Sequence, residues 1–145
     1  MTVAYCLTFY CRSGEEEGSS AMIQFLEALT SEDDRLLVEC GTGDYLDQVA
    51  VCRLATDDGD GRPVADWLTL QLAVGVEYIA EHVIEKSPDD EHGIGGSDLE
   101  AEITLSGSSP DWSLVERIWT TLARRWLAVP WDEMSGFDVA VDGPP

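Results

Sequence analysis

The sequence predicts an α+β domain: a mainly antiparallel sheet of about five or six strands, packed on one face by two helices. Three observations lead there. Several short runs alternate apolar and polar side chains with a period of two, as strands do. Two other stretches repeat their apolar residues at helical spacing. Between two of the alternating runs stands Asp57-Asp58-Gly59-Asp60-Gly61, a strong turn signal because glycine accepts positive φ and aspartate caps its own backbone. The runs over 35–40 and 47–56, with that turn, read as part of an antiparallel meander.

In chain order, Val3, Tyr5, Leu7, Phe9 and Cys11 alternate with Ala4, Cys6, Thr8 and Tyr10, a first strand that is mostly apolar on both faces. A loop over residues 13–19 follows and carries Glu15, Glu16 and Glu17. Ser19 and Ser20 offer N-cap chemistry for a helix over 21–29, with Met22, Phe25, Leu26 and Leu29 on one face. Strands are expected over 35–40, stopped by Gly41-Thr42-Gly43, and over 47–56. From Leu68 to Val76 the parity of Leu68, Leu70, Leu72, Val74 and Val76 argues for a strand. Beyond it Tyr78, Ile79, His82 and Val83 fit either a second strand or a short helix.

Residues 87–97 form the longest loop, with Asp89, Asp90 and Glu91. Leu99, Ala101, Ile103 and Leu105 alternate with Glu100, Glu102 and Thr104, a strand with acid facing outward. The C-terminal helix is the clearest element. Ser109 is its expected N-cap, Pro110 its first residue, and Pro130 its stop. Trp112, Trp119 and Trp126 recur at spacings of seven and form one ridge, read as core with Trp119 almost fully buried. A short strand through Phe137, Val139 and Val141 and a tail over 142–145 complete a single domain, residues 1–145.

Composition restricts function more than any motif does. Leu, Ile, Val and Phe make up 36 of the 145 residues, above the roughly 20% below which a charged chain stays disordered. Acidic residues number 29 against eight basic ones, for a net charge of −21. Direct nucleic-acid binding is excluded, since that affinity comes from Lys and Arg on phosphates. Attachment to an anionic membrane is disfavoured for the same reason. No apolar run approaches the ~20 residues that span a bilayer, and residues 1–12 lack a basic n-region, so a cytoplasmic site is expected. Cys6, Cys11, Cys40 and Cys52 show no CxxC spacing and are expected as four reduced thiols.

Candidate chemistry is sparse. His82 and Glu85 would be half of a metal site if helical, but the second histidine such motifs need is missing, and nothing ties His92 to His82. The Asp57 turn lacks the closing glutamate of a calcium loop, because the twelfth position is Leu68. Gly41-Thr42-Gly43-Asp44 has no lysine to make a phosphate cradle. No GxSxG elbow occurs. No catalytic residue, metal or cofactor is therefore expected.

The charge points to a non-catalytic acidic binding protein that neutralises a basic protein partner, such as a toxin, nuclease or nucleic-acid-binding protein. An immunity or antitoxin-type inhibitor of a nucleic-acid-attacking toxin and a DNA-mimic inhibitor are both of this kind, because carboxylates steer a protein to a cleft built for phosphates. Glu15, Glu16, Glu17, Asp57, Asp58, Asp60, Asp89, Asp90 and Glu91 are the expected contact residues, with the face of Glu100 and Glu102 as another candidate. The alternative is an ordinary cytoplasmic domain, an enzyme of unfamiliar type included, whose acidity suits high salt. A single lysine, Lys86, against seven arginines is compatible with that reading.

Overall fold

A computed structural model describes residues 5–31, 33–40, 48–87, 89, 93–132 and 136–137, with residues 76–78 described through their backbone alone. Nine elements follow one another: β1 (Tyr5–Cys11), α1 (Gly18–Thr30), β2 (Leu37–Cys40), β3 (Val49–Ala55), β4 (Leu68–Val74), α2 (Val76–Lys86), β5 (Leu99–Leu105), α3 (Trp112–Trp126) and β6 (Val129–Trp131). The fold is α+β. Its six strands form one sheet in the order β2-β3-β4-β5-β1-β6, and every neighbouring pair is antiparallel. The meander expected around the Asp57 turn is β2-β3-β4, and β1 lies between β5 and β6.

Side-chain parity sorts the core. Leu7, Phe9 and Cys11 of β1 join Leu68, Leu70 and Leu72 of β4 and the apolar side of β5 in one buried cluster. Met22 and Phe25 of α1 and Leu114, Ile118 and Leu122 of α3 close that cluster. Tyr10 has the opposite parity and is buried in a second cluster with Ile79 and Val83 of α2 and with Ile94. Successive side chains point to opposite faces of a strand, so α2 lies across the sheet from α1 and α3. The two expected helices are thus joined by a third.

Several boundaries differ from expectation for identifiable reasons. Helix α1 begins at Gly18, so Ser19 and Ser20 are helical rather than capping, and Glu17 takes the N-cap position without a side-chain cap. Gly18 is buried against β3: a Cβ there would stand 2.8 Å from the Gln48 backbone, so no larger residue fits. The alternating run after Leu68 stops at Val74 because Gly75 turns to φ +131°, and residues 76–86 are helical. The N-cap of α3 is Asp111, whose carboxylate accepts from Leu114 N at 3.0 Å and from Thr56 Oγ1 at 2.7 Å. Ser109 is instead held outside the helix, its N–H donating to Asp66 at 2.8 Å.

At its other end α3 stops at Trp126, where Leu127 turns left-handed (φ 54°, ψ 47°). Pro130 therefore plays no part in stopping the helix. It lies in β6 on the sheet edge, opposite Phe9, and an edge strand tolerates a missing N–H. Of the expected last strand only Phe137 is described, in a turn packed against the second cluster, and the tail lies outside the described residues.

The tryptophan ridge packs inward as expected, with one correction. Rings meet in pairs: Trp112 with Tyr5, Trp119 with Phe9, and Trp126 with Phe25, at centroid distances of 5.9, 5.5 and 5.9 Å. Trp126 is buried, whereas Trp119 is only half-buried. The cysteines are also not four thiols. Cys40 and Cys52 stand directly opposite in the β2–β3 ladder and are joined by a disulfide. Cys6 is free and exposed, and Cys11 is free and buried. The spacing contained no trace of this bridge, because strand register, rather than sequence distance, brings the pair together.

Candidate binding surface

Two of the acidic clusters are loops at opposite ends of the sheet. Glu15, Glu16 and Glu17 follow the last residue of β1, where Cys11 faces Leu99. Glu16 and Glu17 are exposed and Glu15 is half-buried. The loop that carries them is anchored by Asp98, which accepts from Ser13 N at 2.6 Å, Ser13 Oγ at 3.1 Å and Gly14 N at 2.8 Å. Helix α1 takes over at Gly18, so the loop ends one residue before that position rather than at 19.

Asp57, Asp58 and Asp60 lie beyond β3 and before β4, at the end where Leu68 faces Leu105 and Leu105 faces Tyr5. Six residue steps of β1 separate the two ends, about 20 Å at the rise of a strand. The Asp57 cluster and the Glu15 cluster are therefore not one patch. Within residues 57–62 the aspartates build their own turn: Asp57 Oδ1 accepts from Gly59 N and Gly61 N, both at 2.9 Å, and Asp58 Oδ1 accepts from Asp60 N at 2.7 Å. A bridge between Asp57 and Pro63 closes it. Asp58 and Asp60 are exposed and Asp57 is half-buried. Of the third cluster Asp89 is exposed, while Asp90, Glu91 and His92 lie outside the described residues.

The face of Glu100 and Glu102 is not the open acidic surface that alternation predicts. Strand β5 is central, between β4 and β1, and α2 lies over part of that face. His82 of α2 stands with Nδ1 2.9 Å from Glu100 Oε2, and both glutamates are half-buried. Burial, followed by the charges of Glu100, Glu85 and Glu102, pushes the Tyr10 phenol well above its ordinary value. This histidine–carboxylate pair was missed in the sequence because the helix reading paired His82 with Glu85 on its own element. The two residues lie 18 positions apart and meet only through the sheet.

Neither of the two free cysteines stands beside this pair. A nucleophile would have to stand within about 2.6–3.2 Å of the histidine. The exposed thiol, Cys6, lies four residues along β1 from Tyr10, about 13 Å by strand rise. The Cys6 sulfur lies 3.8 Å from Thr104 Oγ1. Cys11 is sealed in the core, and burial, with Asp98 adding to it, pushes its thiol far above the ordinary range. Among the described residues no three His, Cys, Asp or Glu side chains are grouped so as to hold a metal ion. No described helix is long and apolar enough to cross a membrane.

Comparison with protein-family models, with curated proteins and with solved structures finds no match to this chain.

Proposed function

We propose that the protein is a non-catalytic acidic binding protein that neutralises a basic protein partner, as an immunity-type or DNA-mimic inhibitor of a nucleic-acid-attacking toxin does. The observation that carries the proposal is the net charge of −21, with exposed carboxylates on the projecting loops at both ends of the sheet. Such a surface concentrates a basic partner and raises its on-rate, the quantity that matters when the partner is lethal. With two clusters about 20 Å apart, the encounter is steered by the whole field and the docked complex uses one end. The proposal includes a cytoplasmic site, where the partner's substrate is found.

The test is kinetic. A partner captured from the native host is purified, and its association is followed against ionic strength. Raising salt should slow association far more than it speeds dissociation. Asp57, Asp58 and Asp60 replaced by Asn, or Glu15, Glu16 and Glu17 by Gln, should slow it similarly. The Asn variants keep the side-chain acceptors that build the 57–62 turn, so the fold survives. Unchanged association at low salt with all the clusters neutralised would sink the steering idea.

A second reading, adaptation to a salt-rich cytoplasm, is favoured by the separation of the clusters, since solvation asks only that acids be spread over the surface. It requires that the protein unfold in dilute buffer, where its carboxylates repel one another unscreened. An inhibitor remains folded there.

A further inference from the structure

The two edges of the sheet are not alike. β6 is three residues long with Pro130 at its middle, and an edge proline withholds a donor. β2, at the other edge, contains no proline. Its outward groups follow from one bond: Val74 N–H donates to Gln48 O at 2.8 Å, which makes 48–74 a hydrogen-bonded pair of the β3–β4 ladder. Hydrogen-bonded and open pairs alternate along an antiparallel ladder. Ala50, Cys52 and Leu54 therefore bond to β4, whereas Arg53 and Ala55 bond to Glu39 and Leu37 of β2. The N–H and C=O groups of Val38 and Cys40 are left pointing away from β3, and no described residue pairs with them.

An apolar flank runs beside this edge. α1 packs on β3 and β4, and its Gln24, which accepts from Arg125, faces α3. With 3.6 residues per turn, Ile23 and Leu26 fall on the opposite side of α1, toward β2. Val38 shares the parity of Cys52 and Leu54, so its side chain stands on the face that α1 covers. Ile23 is 60% and Val38 42% exposed, while Leu26 and Leu36 are half-buried against the core. The Cys40–Cys52 disulfide pins this outermost strand to β3, so four residues that would otherwise fray hold their open edge in place. Around it stand Glu27, Asp33, Asp34 and Glu39 against Arg35 and Arg53; four acids less two arginines leave −2. Both arginines are already held, Arg35 by Asp33 and Arg53 by Glu39.

We propose that a basic partner adds an extended segment to the free edge of β2. The proposal rests on the acidic-binding reading and gives it a docking point. An unpaired edge is a template for another strand: its backbone groups supply the pairing and the flanking side chains supply the choice of partner. Side chains on one face of the added segment cover Val38 and Ile23, and its lysines or arginines lie among the acids of the edge. An edge held in register before binding loses little freedom on pairing. A second copy of the chain is the poorer occupant, because it brings the same −2 edge on a molecule of the same −21.

NMR titration of the intact, disulfide-bonded protein with three end-blocked heptapeptides tests it. The first alternates lysine and valine, the second is the same peptide N-methylated at every amide, and the third alternates glutamate and valine. The first should bind saturably and slow hydrogen exchange at the Val38 and Cys40 amides. The N-methylated peptide should bind about tenfold more weakly or worse, and the glutamate peptide should not bind. Val38→Pro should weaken the first peptide about tenfold or more, since it removes an outward donor and no native ladder bond. Ile23→Asn should weaken it several-fold, and Ile84→Asn, on α2 across the sheet, should leave it unchanged. Ile23 and Ile84 are exposed, so both variants should fold, which circular dichroism checks. No binding of the lysine–valine peptide, or a Val38→Pro or Ile23→Asn protein that binds it as the parent does, would overturn the proposal. So would a dimer in sedimentation that Val38→Pro dissolves, the sign of a second copy on the edge. Equal binding of the N-methylated peptide would remove the edge and leave the acidic surface as an attractor, which the salt dependence of the captured partner judges separately.

Discussion

Leu127 adopts a backbone conformation that its side chain opposes. It is the non-glycine residue with positive φ among those described, and its side chain is 69% exposed, so no packing offsets the strain. Glycine is the usual residue at this position after a helix. Leu127→Gly should therefore raise stability by about 0.5–1 kcal/mol, read as a higher urea midpoint at unchanged m-value. Asp111 is the opposite case, a buried carboxylate that caps α3 and also accepts from Thr56. Asp111→Ala should lower stability by about 1–2 kcal/mol. Trp126→Ala should cost about 3–5 kcal/mol and the half-buried Trp119 less, about 2–3. The ridge was legible because spacing alone puts three tryptophans on one face of a helix. The cap was not, because Ser109, Pro110 and Asp111 all suit a helix start, and the choice rests on Asp66 and Thr56, remote in sequence.

At the level of elements, local pattern sufficed wherever one face of an element meets the core and the other does not. β3, β4, β5 and α3 are of this kind, and their alternation or helical stripe survives in the structure with ends shifted by a few residues. α2 was ambiguous because Tyr78, Ile79 and Val83 satisfy either period; the turn at Gly75 decides it. The acidic face of β5 misled for a related reason. Alternation reports that two faces differ, but not that a helix will lie over the polar one. Strand pairing was equally hidden, and with it the Cys40–Cys52 bridge. Titration of the unfolded protein without reductant should therefore find two free thiols, Cys6 and Cys11. Replacing Cys40 and Cys52 by Ser should cost about 2–3 kcal/mol, as expected for a loop of this length in the chain-entropy account.

For the whole molecule, charge and protonation set the conditions of stability. Tyr5 is raised by burial and then by its hydrogen bond to the Asp132 carboxylate, Tyr10 by burial and Glu100, and Cys11 by burial. All three stay neutral in the fold while their unfolded counterparts ionise near pH 9–10. Above that pH the unfolded state binds fewer protons than the native one, so stability should fall as pH rises. Melting temperatures recorded from about pH 8 to 11 should show the decline. The placement of β1 has a consequence of another kind, in time. Tyr5 pairs with Leu105 and Cys11 with Leu99, and on its other side Thr8 pairs with Trp131. A ribosome adding about 5–20 residues each second needs several seconds or more to deliver those partners after β1 has emerged. Meanwhile β2, β3 and β4 can assemble from neighbours in sequence, while Leu7, Phe9 and Tyr10 wait without a sheet. Closing such distant pairings is slow, so the nascent chain spends its longest exposed interval with a largely apolar strand unpaired, and a chaperone that shields short apolar segments would find its target there.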